Sequence, residues 1–272
     1  MSMKYLRLGL EGGIQVLAAN HKLSRFLKDK KKYPLEVREA YLKNLLRKLA
    51  KGALRADLLV KGQENVPQGQ VVYYGNHTSN YDPLAMLTVS DRLVTFLAKK
   101  EIRKFFIIGR AQECMEGAFL DREDLRSELT VFKKIVDQLK ENPELSYIIF
   151  PEGTRSRGPD YALGTFKPGA FQIATRASLP IVPFALYLPA RVLDPHYHYH
   201  RYPIQITYGK PLLPEDYASL TTKDIAEEVK RRVQEMVDEE KKQDFALVMS
   251  HNKYSEKKTR KVLLYTKPEK KS

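Results

Sequence analysis

A histidine and an aspartate stand five residues apart after an apolar run, in the stretch VVYYGNHTSNYDP at residues 71–83. His77 could act as a general base on a hydroxyl group, because an imidazole titrates near neutral pH. Asp82 could bind the other ring nitrogen, which would fix the tautomer and stabilise the imidazolium. The ordinary alternative is that Asp82 and Pro83 begin a helix and that His77 is a surface residue. Both can hold, since a capping carboxylate has a second oxygen.

A second polar cluster follows another apolar run, in YIIFPEGTRSRG at residues 147–158. A buried strand that runs into a sharp turn and exposed polar residues is how α/β folds present a site at strand carboxyl ends. Glu152 and Arg155 could hold a polar substrate, and the forked guanidinium of Arg155 suits a phosphate. Taken alone, the stretch is also compatible with a turn that carries a surface ion pair.

Two further cations could join Arg155 around one phosphate. Arg122 follows the short apolar run GAFLD, and Lys167 precedes a predicted helix in TFKPG. A cup of three cations would suit a phosphate dianion. Individually, each of these side chains is typical of a solvated surface charge.

The elements that must position these residues alternate between short apolar runs and helical segments from about residue 66 onward. This alternation predicts an α/β domain with a mixed, mostly parallel central sheet flanked by helices. The carboxyl ends of parallel strands meet at one edge of a sheet, so the two polar clusters are expected there.

Two amphipathic helices are predicted before this domain. From residue 35 to residue 53, apolar residues recur at intervals of three or four with Lys and Arg between them. A weaker stripe precedes it at Leu6, Leu10, Ile14 and Leu17. The pair could pack on the core with its charges in water, or it could lie as a basic interfacial pair on a membrane.

Three regions are therefore predicted along the chain. Residues 1–62 form the basic amphipathic helical pair, and residues 63–245 form the α/β domain, which ends with a helix near residues 222–240. Residues 246–272 are predicted to be a basic, flexible tail.

The net charge of +14 over 272 residues is concentrated at the two ends. Residues 1–65 hold 15 basic and 6 acidic residues, and residues 241–272 hold 10 basic and 3 acidic ones. Such ends suit an anionic surface, either nucleic acid or lipid head groups. The stretch between them is nearly neutral, which argues against a nucleic-acid-binding protein.

Other classes of protein are disfavoured by what the sequence lacks. Cys114 is the single cysteine, so an intrachain disulfide and a multi-cysteine metal site are excluded, and a cytoplasmic location is the default. The longest uncharged apolar stretch, residues 179–190, is too short to span a bilayer and contains three prolines. Polar residues interrupt the first apolar segment, so we expect no signal peptide.

The combination of these stretches resembles the glycerolipid acyltransferase family, which includes bacterial 1-acylglycerol-3-phosphate acyltransferases. The first family motif, NHxxxxD, matches Asn76, His77 and Asp82. The third motif, FPEGTRS, matches residues 150–156 without a change. The fourth, an apolar strand flanked by prolines, matches residues 180–183.

The resemblance covers about residues 60–215 and departs from the family in the second motif. The family usually has a glycine six residues before the arginine of that motif, which matches Arg122. Glu116 occupies the glycine position here, and Gly117 follows it.

The resemblance implies transfer of a fatty acyl group from a thioester of coenzyme A or acyl carrier protein to the free hydroxyl of a lysophospholipid. The expected acceptor is 1-acylglycerol-3-phosphate and the product is phosphatidic acid. Another acceptor, such as glycerol 3-phosphate, another lysophospholipid or an acyl-amino lipid, is the alternative. No metal, cofactor or covalent acyl-enzyme is implied, because a thioester is already activated; the sequence also lacks a GxSxG nucleophile elbow.

The resemblance also implies roles for individual residues. His77 is expected to deprotonate the acceptor hydroxyl, and Asp82 to orient His77. Backbone N–H groups near Gly153 are expected to stabilise the oxyanion that forms on the thioester carbonyl. The residues expected to hold the substrate are Glu152, Gly153, Arg155, Arg122 and Lys167.

A lipid substrate gives the basic ends of the chain a possible role. We expect peripheral attachment to anionic lipid at the cytoplasmic face of a membrane, and no binding to nucleic acid. The alternative from another class is a basic protein without enzymatic activity that binds membrane or nucleic acid.

Overall fold

The computed structural model describes residues 8–121, 124–156, 162–194 and 196–263. Arg122 lies outside these ranges. The strands in the described part are β1 (Ala56–Lys61), β2 (Val72–Gly75), β3 (Val94–Lys99), β4 (Ala118–Leu120), β5 (Ser146–Ile149), β6 (Ile181–Tyr187) and β7 (Tyr202–Tyr208). The α-helices are α1 (Gly13–Lys28), α2 (Leu35–Lys51), α3 (Asp82–Val89), α4 (Phe106–Cys114), α5 (Leu125–Glu141), α6 (Gln172–Ala177), α7 (Ala190–Leu193), α8 (Pro214–Tyr217), α9 (Thr222–Asn252) and α10 (Glu256–Leu263).

The described strands form one sheet in the order β1-β7-β6-β2-β5-β3-β4. Every neighbouring pair is parallel except β6 and β7, which are antiparallel. The predicted mixed, mostly parallel sheet is thus confirmed. Strands β2 to β6 end at the same edge of the sheet, called the site edge below. Strands β1 and β7 run the other way. The edge where β2 to β6 begin is called the far edge below.

Both faces of the sheet are covered by helices, so successive residues of a central strand enter different apolar clusters. In β2, Tyr73 packs in the cluster that includes residues of α1, α2 and α3. Val72 and Tyr74 pack in the other cluster, with residues of α5, α6 and α9. A parallel strand that is buried on both sides has this nearly continuous apolar sequence, because neither face meets water.

The predicted pair of N-terminal helices is present as α1 and α2. Their buried residues include Leu23 and Phe26 of α1 and Leu42 and Leu46 of α2, all part of the core. The pair is therefore packed on the sheet by one face, as its periodicity predicts. No helix in the described ranges is long and apolar enough to cross a membrane.

The first predicted boundary differs from the structure. Residues 1–62 were expected to be helical, but β1 lies within them and pairs in parallel with β7. The strand was not predicted because its residues, ADLLVK, follow the amphipathic helix closely and continue its mixture of apolar and charged residues. The sheet thus begins before residue 62.

The predicted flexible tail also differs from the structure up to residue 263. Helix α9 continues to Asn252, and α10 follows it. Two buried polar contacts hold this extension: Asp244 accepts from Arg191 at 2.7 and 2.8 Å, and Asn252 bonds the backbone of Arg201. Such contacts between distant segments leave no periodic apolar signal. Residues 264–272 lie outside the described residues.

Candidate active site

His77 and Asp82 meet at the site edge. The chain leaves β2 at Gly75, and the Nδ1 atom of His77 lies 2.8 Å from the Oδ2 atom of Asp82. The same oxygen accepts the backbone N–H groups of Thr78 and Ser79 at 2.6 and 2.8 Å. Asp82 is fully buried, whereas 18% of the His77 side chain is exposed. A carboxylate that accepts Nδ1–H leaves the Nε2 lone pair available as a base.

Asp82 also begins a helix, so the ordinary interpretation of the sequence holds alongside the chemical one. It is the first residue of α3, and Pro83 follows it. A proline is accommodated there because the first N–H groups of a helix have no partner within the helix. The N-cap of α3 is Tyr81, however, and not Asp82 as the sequence suggested. The Oδ2 atom of Asp82 accepts N–H groups of the preceding turn and also binds the imidazole.

The imidazole ring of His77 is also held by an aromatic neighbour. Phe150, the residue after β5, stacks on it with ring centroids 4.4 Å apart and an angle of 28° between the planes. Phe150 in turn makes an edge contact with Phe184 of β6. Since β5 and β6 flank β2 in the sheet, the ring position is set by both neighbouring strands.

The backbone that carries His77 is fixed to β6. The side-chain amide of Asn76 accepts the N–H of Leu186 and donates to its C=O, both at 2.8 Å. Gly75 is required because a Cβ there would lie 2.4 Å from Phe184. The asparagine of the NHxxxxD motif thus binds the backbone of β6, and this contact fixes the position of His77 relative to the sheet.

Glu152 has a different position from the one that the sequence suggested. Its carboxylate accepts the backbone N–H groups of His77 and Gly164 at 2.8 and 2.9 Å and the hydroxyl of Ser156. The residue is only 4% exposed. The backbone N–H of Ser156 also donates to the C=O of His77 at 2.7 Å. The carboxylate of Glu152 therefore ties the loop after β5 to the histidine loop, a role that the sequence did not indicate.

Gly153 forms the turn between Phe150 and Arg155. Its φ of +68° lies in the left-handed region that favours glycine, and a Cβ there would lie 3.3 Å from the Lys167 side chain. Its N–H donates to the C=O of Phe150 at 3.1 Å. That N–H is therefore used within the turn, so an oxyanion would need other donors nearby.

Two of the three predicted cations can be located. Arg155 is half-buried and donates to the Oδ1 atom of Asn80, in the histidine loop, at 2.9 Å. Lys167 is exposed, lies over Gly153 and lines a small cavity of about 50 Å³ beside the turn. Both cations therefore lie at the site edge. Arg122 cannot be placed, since it is outside the described residues.

An ion pair at the same edge was missed by the sequence reasoning. Lys100 follows β3, Asp121 follows β4, and their side chains form an ion pair. The signal was present as a pair of lysines directly after an apolar run, in FLAKKE. A cation after a parallel strand is as well placed for a site as the residues after β2 and β5.

The departure in the second motif has a structural explanation. Glu116 has a φ of +57°, the left-handed conformation for which glycine is the usual residue. Its carboxylate accepts from the buried guanidinium of Arg38 at 2.7 Å and lies 3.7 Å from the Lys30 ammonium. The loop before β4 therefore keeps a glycine-like backbone and is tied to the N-terminal helices.

Other catalytic groups find no support in the described ranges. They contain no group of three or more His, Cys, Asp or Glu side chains placed to hold a metal ion. Burial raises the pKa of the Cys114 thiol to about 11, so that thiol is a poor nucleophile at neutral pH. The chemistry at the site edge therefore rests on His77 and its neighbours.

Comparison with known proteins agrees with this geometry. Residues 57–187, which span the histidine loop and the loop after β5, match the Acyltransferase family model. This part of the chain is therefore similar to acyltransferases of that family. The matched residues include most of β1, in agreement with the sheet pairing.

Several proteins that are similar to parts of this chain are named as 1-acyl-sn-glycerol-3-phosphate acyltransferases. A chloroplastic one from Brassica napus is 36% identical over 47% of this chain and 36% of its own length. One from Saccharomyces cerevisiae is 27% identical over 65% of this chain and 58% of its own. One from Haemophilus influenzae is 32% identical over 46% and 52%, respectively. The chain thus spans about a third to three fifths of these relatives.

A solved structure is similar over most of its length. The 1-acyl-sn-glycerophosphate (LPA) acyltransferase PlsC from Thermotoga maritima superposes with a TM-score of 0.58 and is 26% identical. The match covers 84% of this chain and 88% of that one. This chain therefore shares the fold of that enzyme over most of its length.

Proposed function

We propose that the protein transfers a fatty acyl group from acyl-CoA or acyl-ACP to the free hydroxyl of 1-acylglycerol-3-phosphate and forms phosphatidic acid. The contact between His77 and Asp82 carries this proposal, because it leaves the Nε2 atom as a base at an edge lined by cations. The names of the relatives, 1-acyl-sn-glycerol-3-phosphate acyltransferases, support 1-acylglycerol-3-phosphate as the acceptor.

The proposed reaction is a direct displacement at the thioester carbonyl. His77 Nε2 takes the proton of the acceptor hydroxyl while the hydroxyl oxygen attacks the carbonyl carbon. The tetrahedral oxyanion then collapses, the carbon–sulfur bond breaks, and the imidazolium returns its proton to the leaving thiolate. Asp82 stabilises the imidazolium between these steps. No metal or other cofactor is needed in this scheme, because the thioester is already activated.

The phosphate of the acceptor is proposed to bind the cations of the site edge. Arg155 can offer two parallel N–H groups to a phosphate, and Lys167 adds a point charge. Arg122 is added on its match to the second family motif. Glu152 has no place in this contact, since protein donors occupy its carboxylate.

We further propose that the protein works as a peripheral protein at the cytoplasmic face of a membrane, where its acceptor and product reside. Cations of the N-terminal helices would each contribute about 1 kcal/mol near an anionic lipid surface. Vesicle flotation at increasing salt tests this attachment: it should be strongest on anionic lipid at low salt, and its absence there would contradict it.

The activity itself is tested by release of free thiol from acyl-CoA or acyl-ACP in the presence of detergent-dispersed lysophosphatidic acid. We expect thiol release that depends on the acceptor, with phosphatidic acid identified by mass, and a large loss in the His77→Ala variant. The matched control is Lys223→Ala, an exposed change at the start of α9. Thiol release that does not require an acceptor, or none with either donor, would contradict the proposal.

A further inference from the structure

Four consecutive exposed residues follow β3 and lead into α4, whose first residue is the last of them, at the site edge. They are two cations followed by two aromatic residues: Arg103, Lys104, Phe105 and Phe106. Phe105 is 57% exposed and Phe106 is 61% exposed. Large aromatic side chains in water are unfavourable, so a cluster of them on a surface indicates a binding surface.

A second exposed apolar surface lies on α1 and the turn before it. Leu10, Ile14 and Leu17 are 67, 73 and 68% exposed. They follow the helical repeat along one side, whereas Leu23 and Phe26 are buried in the core. The exposed stripe is therefore additional to the face that packs on the sheet.

The two surfaces are joined. Helix α1 packs against α4, and the Arg110 guanidinium of α4 donates to the side chain of Asn20 on α1. The same guanidinium lies 4.6 Å above the centre of the Phe106 ring. The aromatic residues and the α1 stripe thus belong to one region of the surface rather than to two separate ones.

The charges around this region indicate what kind of partner it binds. Two cations directly precede the aromatic pair, and the exposed side of α1 continues from its apolar residues to His21, Arg25 and Lys28. Exposed apolar side chains bordered by cations fit the interface of an anionic bilayer, where the rings enter the acyl region and the cations meet phosphates.

We propose that residues 103–106 insert into the bilayer as a second contact beside α1. Contacts on two different elements of this region define an orientation, which one helix alone does not. Because residues 103–106 follow β3 at the site edge, this orientation turns His77 toward the lipid surface. An acceptor lipid then reaches the base while its acyl chain stays in the membrane. The inference deepens the proposed function and rests on it for the identity of the acceptor.

The chain contains no tryptophan, so a single introduced one reports its own surroundings. In Phe106→Trp, binding to vesicles of phosphatidylcholine and phosphatidylglycerol should shift the emission to shorter wavelength, and lipids brominated on the acyl chains should quench it. The matched control is Leu220→Trp, since Leu220 is also exposed, at 39%, but lies near the far edge. Its emission should not change. The proposal would be overturned if both variants bound the vesicles and the emission of Phe106→Trp shifted no more than that of Leu220→Trp.

Activity gives an independent test with the double variant Phe105→Ser, Phe106→Ser. We expect vesicle binding to weaken about tenfold for each ring removed. Acyl transfer to acceptor in vesicles should fall accordingly, whereas transfer to acceptor in detergent micelles should stay at the wild-type rate. Unchanged vesicle binding and transfer would overturn the inference and leave the proposed reaction intact. If the wild-type protein transferred no acyl group to acceptor in micelles, this result would instead contradict the proposed function.

Other partners would give different results. An acidic carrier protein at this surface would shift the Phe106→Trp emission without lipid, and a second copy of the chain would make the shift depend on protein concentration. Either result, with no shift on vesicles, would overturn the proposal.

Discussion

Buried carboxylates lie in two regions along the sheet, but their surroundings differ. At the site edge, Asp82 and Glu152 accept backbone N–H groups from the loops after β2 and β5. Beside β1 and β7, Glu240 of α9 lies near the ends of these two strands, where burial raises its pKa to about 8. Burial of a carboxylate therefore does not mark a functional site by itself. The site carboxylates are distinguished by the backbone N–H groups that they accept from the loop that carries His77.

The largest effect should follow removal of the base. His77→Ala should lower the rate of acyl transfer by about 10²- to 10⁴-fold, because proton removal from the hydroxyl then falls to water. The measurement is thiol release with saturating acceptor, with the thermal midpoint as a control for folding. A rate close to that of the wild-type protein would show that His77 is not the base.

A smaller loss is expected when the loop contact at Glu152 is weakened. In Glu152→Gln one oxygen can still accept, but the NH₂ group cannot accept the N–H of Gly164 or the Ser156 hydroxyl proton. We expect kcat to fall by about 10- to 100-fold, as a misplaced base would require, with little change in the KM for the acceptor.

Glu141→Gln, an exposed change at the end of α5, is the control and should retain full activity. A higher KM for the acceptor with an unchanged kcat would instead favour direct contact of Glu152 with substrate.

These residues show what the sequence can and cannot predict about the site. The spacing of His77 and Asp82 sufficed, because a five-residue turn brings the two side chains together locally. The role of Glu152 could not be predicted from the sequence, since the two backbone N–H groups that it accepts lie 75 and 12 residues away along the chain. Lys100 was overlooked because its signal, a lysine pair after the apolar run of β3, was not weighed as the polar residues after β2 and β5 were.

The fold was predictable where apolar periodicity was strong and not where polar contacts decide. The alternation of strands and helices predicted the parallel sheet. The extension of α9 past residue 240 depends on the ion pair between Asp244 and Arg191, which are 53 residues apart. No local pattern indicates such a pair, so a basic stretch was expected to be flexible.

The smallest effect on activity should come from Glu240, beside β1 and β7. Glu240→Gln should leave acyl transfer at neutral pH unchanged but alter stability with pH. The pKa of Glu240 is raised in the folded protein above its usual value of 4.5, so the folded state binds more protons than the unfolded state between about 4.5 and about 8. Stability should therefore fall as pH rises through this window, and the loss should be complete above it.

Thermal unfolding across this pH window measures the effect. The amide cannot ionise, so Glu240→Gln should match the wild-type protein near the lower end and be more stable above the upper end, by an amount on the order of a few kcal/mol. Glu239→Gln, at the exposed neighbouring position, is the control and should show no such divergence. Parallel pH profiles for all three proteins would show that Glu240 is not held in its neutral form.

The central claim is that His77 and Asp82 act as one unit, and a double-mutant cycle tests it most directly. Asp82→Asn keeps an acceptor oxygen for the turn but removes the charge that stabilises the imidazolium. Thiol release should be measured for His77→Ala, Asp82→Asn and the double variant. We predict that the double variant is no slower than His77→Ala, because without the imidazole the carboxylate has nothing to orient. Losses that multiply, so that Asp82→Asn slows the His77→Ala protein as much as it slows the wild type, would contradict the account.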